Sequence, residues 1–227
     1  MEPGFWHQRW REGRTGFHLP VVNPKLERFW PALELAPECP VFVPLCGKSL
    51  DLPWLARHHP VTGSELSPIA VEEFFARLGR PPARTHEGGQ EVCSSGRIRI
   101  LCGDFFSLTP GHLWQEPPGH CAVYDRAALV ALPPDMRVAY IRKLESLLPP
   151  SADMLLVTLD YPQTQREGPP FAVSDDEVRQ HFGAAWQIRL LDVEDRLQAE
   201  ARFREQGVTR FEERVYHLRR TPPVIPA

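Results

Sequence analysis

VFVPLCGKSLDLPWLARHHPVTGSE, residues 41–65, places two apolar runs, a one-glycine turn and a closing acid within a single short unit. Residues 41–45 form an apolar run that stops at the Gly47 turn, the signature of a buried strand. Residues 49–57 follow as a short helix, with Pro53 either in its first turn or distorting it. Residues 61–65 are a second strand whose last residue is Glu65. In an open α/β sheet, ligands sit beyond the carboxyl ends of the strands, so Gly47 and Glu65 belong to one rim. A lone glycine lets the backbone turn sharply and approach a ligand closely. Glu65 follows Gly47 by 18 residues (65 − 47), near the spacing at which an acid bonds the ribose hydroxyls of a nucleoside. A solvated strand-end carboxylate is the competing reading. The GxGxxG cradle is absent, and the GKS triplet of a P-loop would need glycine where Phe42 stands.

Outward from this unit, strands keep alternating with helices. Ser67-Pro68 offers an N-cap and a first-turn proline to a helix over 68–78, which buries Ile69, Val71, Phe74, Phe75 and Leu78 and closes at Gly79. Residues 91–93 and 97–102 predict a hairpin about Ser94-Ser95-Gly96. Directly after it, Asp104 is placed to accept a hydrogen bond from an adenine amino group and Phe105 to pack on the ring, unless Asp104 simply caps a turn. A strand over 121–124 ends in Asp125-Arg126, Asp135 is expected to cap a helix running to 148, and 154–159 is a further strand. Ser174 to Glu177 has the form of a capping box, opening a helix that ends near Gly183. Two late strands, 186–193 and 210–218, lack a good crossover helix between them, so one should be antiparallel. The whole is a single doubly wound α/β domain, with 1–38 as an aromatic extension carrying no strand.

Composition narrows the function. The 227 residues carry 26 basic and 29 acidic side chains, for a net charge of −3, which is not the basic footprint of a nucleic-acid binder. No apolar run approaches the ~18 residues that span a bilayer, and the first ten residues lack an apolar leader core. Cys39, Cys46, Cys93, Cys102 and Cys121 have apolar neighbours and no metal spacing, which suits reduced, buried thiols and a cytoplasmic setting. The histidines have no ligand spacing either, so no metal is expected; His18 alone is a possible proton acceptor near the site.

The run Val43-Pro44-Leu45-Cys46-Gly47-Lys48-Ser49-Leu50-Asp51 resembles the thiopurine S-methyltransferase family, bacterial type. Six further blocks extend the likeness in family order: Phe5-Trp6 to Trp10, Gly16-Phe17-His18, 61–67, Asp125-Arg126-Ala127-Ala128-Leu129, Gly168-Pro169-Pro170-Phe171, and the tail near 212–218. The resemblance implies a class I, Rossmann-like methyltransferase fold, a seven-stranded mostly parallel sheet with an antiparallel last strand. It implies S-adenosylmethionine as cofactor, held by Trp10, Leu45, Gly47, Glu65 and Arg126, with Asp104 and Phe105 near the adenine. Phe17, His18, Pro169, Pro170 and Arg202 would shape the acceptor side, although the run Glu200-Ala201-Arg202-Phe203-Arg204 leaves Arg204 as an alternative register. Arg126 is the expected catalytic residue, holding the cofactor carboxylate or stabilising a thiolate.

The same resemblance implies a cytoplasmic monomer that S-methylates aromatic and heterocyclic thiols, with selenium or tellurium species as further acceptors. The chemistry is an in-line displacement on a sulfonium, in which the protein supplies orientation and water exclusion. Aromatics crowded into the first 30 residues (Phe5, Trp6, Trp10, Phe17, Phe29 and Trp30) lead us to expect a lid over the cofactor, formed by the first four. Two rivals remain at this stage: an NAD-dependent oxidoreductase, which the missing glycines disfavour, and a non-enzymatic nucleoside-binding or chalcogen-sequestering protein, which the unclustered cysteines disfavour.

Overall fold

A computed structural model describes residues 3–220. Its strands are β1 (Val41–Val43), β2 (Val61–Glu65), β3 (Ala83–Glu87), β4 (Gln90–Ser95), β5 (Ile98–Cys102), β6 (Cys121–Arg126), β7 (Ala152–Asp160), β8 (Gln187–Asp195) and β9 (Glu212–Arg220). The helices are α1 (Pro3–Arg11), α2 (Pro24–Phe29), α3 (Asp51–Leu55), α4 (Pro68–Leu78), α5 (Pro110–Leu113), α6 (Pro134–Leu147), α7 (Asp175–Phe182) and α8 (Ala201–Glu205). Among the described residues all nine strands join one sheet in the order β3-β4-β5-β2-β1-β6-β7-β9-β8.

The run from β5 to β8 contains the seven strands that the family resemblance implies. Strands β5, β2, β1, β6 and β7 are parallel, and β9 is antiparallel to both of its neighbours. The sheet is wider than seven strands, however. A β3-β4 hairpin adds two antiparallel strands at the β5 edge. Its turn is Gly88-Gly89, with both residues in the left-handed region (φ 53° and 86°), as a two-residue hairpin turn requires. Strand β3 escaped the sequence reading because Ala-Arg-Thr-His-Glu is exposed and shows no apolar alternation.

Apolar residues fill both faces of the central strands, as parallel sheets demand. Along β1, Phe42 points to one layer, while Val41 and Val43 point to the other. The Phe42 side is covered by Tyr140, Ile141, Leu144 and Leu147 of α6 and by Val178 and Phe182 of α7. The opposite side is covered by Leu26, Trp30 and Leu33 of the N-terminal segment and by Val71, Phe74 and Phe75 of α4. Among its described residues the 1–38 segment therefore has helices but no strand, and its second half belongs to the core.

Local differences have local causes. β1 stops at Val43 rather than residue 45, because Leu45 turns into the left-handed region (φ 48°). α3 is shorter than 49–57, and Pro53 stands in its first turn, where its missing N–H costs nothing. Asp135 lies in the first turn of α6 rather than at its cap, which is Pro133. Ser67 caps α4 through Ala70 N and Gly79 closes it in the left-handed region, both as expected.

The Ser174 capping box is half made: Ser174 Oγ accepts from Glu177 N at 3.2 Å, but the Glu177 carboxylate is taken by Arg137 instead. Arg137 is wholly buried on α6 and also donates to the carbonyls of Leu132 (3.0 Å) and Ala172 (2.9 Å), joining α6 to the start of α7. Arg137→Ala strands these acceptors and is expected to lower stability by about 3 kcal/mol, measurable as a shift of the urea midpoint at unchanged slope.

Candidate functional site

The carboxyl ends of β1, β2, β5 and β6 open into a cavity of about 840 Å³. That volume is within the usual range for small-molecule sites, ~300–1,000 Å³. Every site residue named from the sequence lines it: Trp10, Phe17, His18, Leu45, Gly47, Glu65, Asp104, Phe105, Arg126, Pro169, Pro170 and Arg202. These residues span most of the chain, so the fold brings them together.

The turn after β1 is built for close approach. Leu45 N donates to Ser64 Oγ (3.2 Å) and Cys46 N to Ser64 O (2.8 Å), which locks the turn onto β2. Gly47 is left-handed (φ 56°), and a Cβ there would sit 3.4 Å from the Trp10 ring. Glu65 closes the turn from the next strand: Oε2 accepts Gly47 N at 2.8 Å and Oε1 accepts Ser67 N at 2.7 Å. Burial pushes the Glu65 carboxyl up to about 7, and the backbone N–H groups of Ser67, Gly47 and Leu66 only partly oppose it. A carboxylate has about four acceptor positions. Gly47 N and Ser67 N take two of them and Leu66 N also bears on the carboxylate, so acceptor capacity remains.

Over this turn lies α1. Trp10 is 5% exposed, with Lys48 Nζ 5.5 Å from its ring centroid. Phe17 meets Trp10 and Trp6 edge-on, at 5.6 Å and 5.9 Å between centroids. Lys48 also pairs with Glu73 at 2.6 Å, so this lysine is committed to protein groups rather than to a phosphate. Asp104 Oδ1 accepts Phe106 N at 3.0 Å, so the carboxylate caps the following turn as well as facing the cavity. Phe105 is 3% exposed and tilted against Tyr140 at 5.0 Å; it forms a wall of the cavity as part of the core.

On the other side, Arg126 ends β6 and gives one of its five N–H donors to the Phe17 carbonyl (2.9 Å). Its sequence neighbour Asp125 is not its partner, because that buried carboxylate is held by Tyr140 OH (2.6 Å) and Leu129 N (3.1 Å). Burial pushes Asp125 up to about 6. His18 lies 3.1 Å from Arg77 Nη1 through Nε2, and burial with three nearby cations holds it below its ordinary range. A neutral His18 accepting from Arg77 is an anchor for the 16–18 loop. Arg202 faces the cavity and seats against Gly16, where any Cβ would collide with its guanidinium. Arg204 turns away to Gln198. Pro169 and Pro170 follow two cis peptide bonds, and Tyr161 OH holds the Pro170 carbonyl at 2.6 Å.

All five cysteines are buried free thiols, each pushed up by desolvation, so none is a ready thiolate. Charged cavity groups that escaped the sequence reading include Arg166, Arg196 and Glu213. Glu213 had a signal, since its alternation along β9 puts it on the face of Phe211 and Val215.

The sheet order, the antiparallel β9 and the position of the cavity define the class I methyltransferase fold. Solved structures agree on this fold. One is a methyltransferase from Anabaena variabilis ATCC 29413 described as S-adenosylmethionine-dependent, at TM-score 0.61 and 15% identity, covering 96% of this chain and 94% of that one. Another is the Burkholderia thailandensis 1,6-didemethyltoxoflavin-N1-methyltransferase with its substrate and S-adenosylhomocysteine bound, at TM-score 0.59 and 14% identity, covering 96% and 87%.

The chain belongs to the thiopurine S-methyltransferase family, whose model matches residues 1–221. A thiopurine S-methyltransferase of Pseudomonas fluorescens (strain SBW25) is 51% identical over 96% of this chain and 99% of its own length. One from Xanthomonas campestris pv. campestris (strain 8004) is 48% identical over 97% and 100%.

Gly47→Ala forces an L side chain into the left-handed region (φ 56°), with its β-carbon only in ordinary contact with Trp10. It is expected to lower stability by roughly 1–2 kcal/mol in a denaturant titration.

Proposed function

We propose that this protein is a methyltransferase that transfers the methyl group of S-adenosylmethionine to the sulfur of thiopurines and other aromatic or heterocyclic thiols. The observation that carries the reading is the Glu65 carboxylate, which clamps the Gly47 turn and still has acceptor capacity at the mouth of an 840 Å³ cavity. A ribose diol presents two O–H donors to that capacity. Asp104 and the Phe105 wall lie at the neighbouring strand end, on the side assigned to the adenine.

Bound S-adenosylmethionine supplies an electrophilic methyl group on a sulfonium. The protein's part is to orient the two reactants and exclude water, which lowers a barrier by roughly 7–11 kcal/mol when alignment is good. Trp10 and Phe17 roof the site as a lid, and Trp10 joins α1 to the Gly47 turn. Arg126, ending β6, presents its remaining N–H donors to the cofactor carboxylate or the developing thiolate. Pro169, Pro170 and Arg202 line the acceptor end, with His18 holding the loop that carries Phe17.

The five free thiols suit a reducing cytoplasm, and among the described residues no helix is long and apolar enough to cross a membrane. The family likeness supports a monomer and a small-molecule thiol partner. It also supports selenium or tellurium species as further acceptors, which a thiol-methylation assay extended to those compounds would test.

Three measurements test the reading. S-adenosylhomocysteine should raise the melting temperature while NAD and ATP leave it unchanged. Its affinity should fall as pH drops through about 7, approaching tenfold per pH unit, because the protonated Glu65 loses an acceptor. Binding of NAD in its place would overturn the assignment. Arg126→Lys keeps the charge but loses the planar fork, and kcat/KM for a thiopurine should drop at least tenfold; wild-type kinetics would refute the role.

A further inference from the structure

Glu213 is the acid of the acceptor half that no other contact accounts for. It sits on β9 between Leu159 of β7 and Glu194 of β8 in the strand register. Its alternation places it with Phe211 and Val215, on the side opposite Glu212 and Arg214. Those two residues are tied to one another and to the Asp160 and Arg210 side chains. Among the described residues no hydrogen bond or ion pair reaches the Glu213 carboxylate, although the residue is largely covered and lines the same cavity as Arg126.

The groups that face it are Arg126 from β6, Arg196 from the segment after β8, Lys25 from α2 and Glu194 from β8. Lys25 is already bound to Asp192 and Glu194. Arg196 is 3.5 Å from Glu194 and 3.8 Å from Glu200. Arg126 and Glu213 lie on strands separated only by β7, and the registers Arg126–Val157 and Leu159–Glu213 put them on the same face of the sheet, so that both line the cavity above β7. Arg126 brings N–H donors to it and Glu213 a carboxylate.

Heterocyclic thiols hold much of their material as the thione, in which the unit H–N–C=S presents one donor (N–H) and one acceptor (sulfur). We propose that Glu213 is a catalytic residue that accepts the ring N–H proton of a thione acceptor, while Arg126 donates to its sulfur. This rests on the methyltransferase reading above. As sulfur forms its bond to the methyl carbon, the carbon–sulfonium bond breaks and its electron pair stays on the cofactor sulfur. The C=S bond becomes single, ring C=N forms, and the nitrogen proton moves to the Glu213 carboxylate. The sulfonium charge is thereby cancelled by the carboxylate charge, leaving neutral thioethers and a neutral acid. Desolvation raises the Glu213 carboxyl above its ordinary range despite the two arginines, which makes it a stronger base for such a proton.

The test compares a thiopurine with an aryl thiol that has no ring N–H, at saturating S-adenosylmethionine so that Glu65 titration does not enter. Glu213→Gln should lower the ratio of kcat/KM for thiopurine over aryl thiol at least tenfold. It should also weaken thiopurine binding to the S-adenosylhomocysteine complex about tenfold by calorimetry, the scale of a lost hydrogen bond to a charged group. If Glu213→Gln fails to bind S-adenosylhomocysteine, the wild-type pH profile decides: an acid limb in kcat/KM for the thiopurine at a pH that is not its own ionisation, with the aryl thiol showing only the limb of its own thiol, supports the proposal, and a thiopurine profile without that limb overturns it. An unchanged ratio with unchanged affinity overturns the role of Glu213 alone. A wild-type protein that methylates neither acceptor overturns the methyltransferase reading along with it.

Discussion

The two hydrogen bonds from Gly47 N and Ser67 N to the buried Glu65 carboxylate hold this site together. They join the turn after β1 to the turn that begins α4, so the two strand ends that face a ligand move as one piece. The arrangement is electrostatically expensive, since burial disfavours the charged form and holds the Glu65 carboxyl near 7. A purely structural clamp would use a neutral acceptor at lower cost. A carboxylate kept at that position makes physical sense when a ligand's hydroxyls complete its hydrogen bonding.

From that clamp the rest of the donor half follows. Gly47 is left-handed and bare on the side where Trp10 rests, so the α1 roof is set by the same turn that Glu65 closes. The protein thus spends its first helix as a wall of the cavity rather than as part of a separate domain. Arg126 completes the link, since its bond to the Phe17 carbonyl ties the roof loop to the end of β6.

The acceptor half obeys a different rule. It is made from late elements, the 166–170 loop, α8 and β9, and it is rich in arginines: Arg126, Arg166, Arg196 and Arg202 all line it. Opposing them are Glu200 and Glu213, and only Glu200 has an ion pair, at 3.8 Å from Arg196. An enzyme whose donor carries a positive sulfonium has to bring up an electron-rich acceptor and dispose of a proton. In the proposed mechanism, fixed cations at one side and the Glu213 carboxylate at the other would serve those two needs.

Much of this was legible in the chain itself. The apolar run before Gly47, the Ser67-Pro68 start and the Gly79 stop of α4, and the acid at residue 65 are local patterns, and each folded as its own periodicity required. The residues of the donor half are legible for the same reason: they sit at strand ends, where the change from apolar run to turn marks the rim. Strand β3 was not legible, because an exposed edge strand needs no apolar alternation and exists through its pairing with β4. Nor was the fate of Glu177, whose capping partner lost to Arg137 from another helix. Glu213 shows the limit most clearly: alternation alone puts its side chain on an apolar face, but only the order β6-β7-β9 sets that face opposite Arg126. Sequence determines what each segment is because its forces act over a few residues. Which segments share a cavity is decided by the packing of strands far apart in the chain, and that belongs to the tertiary structure.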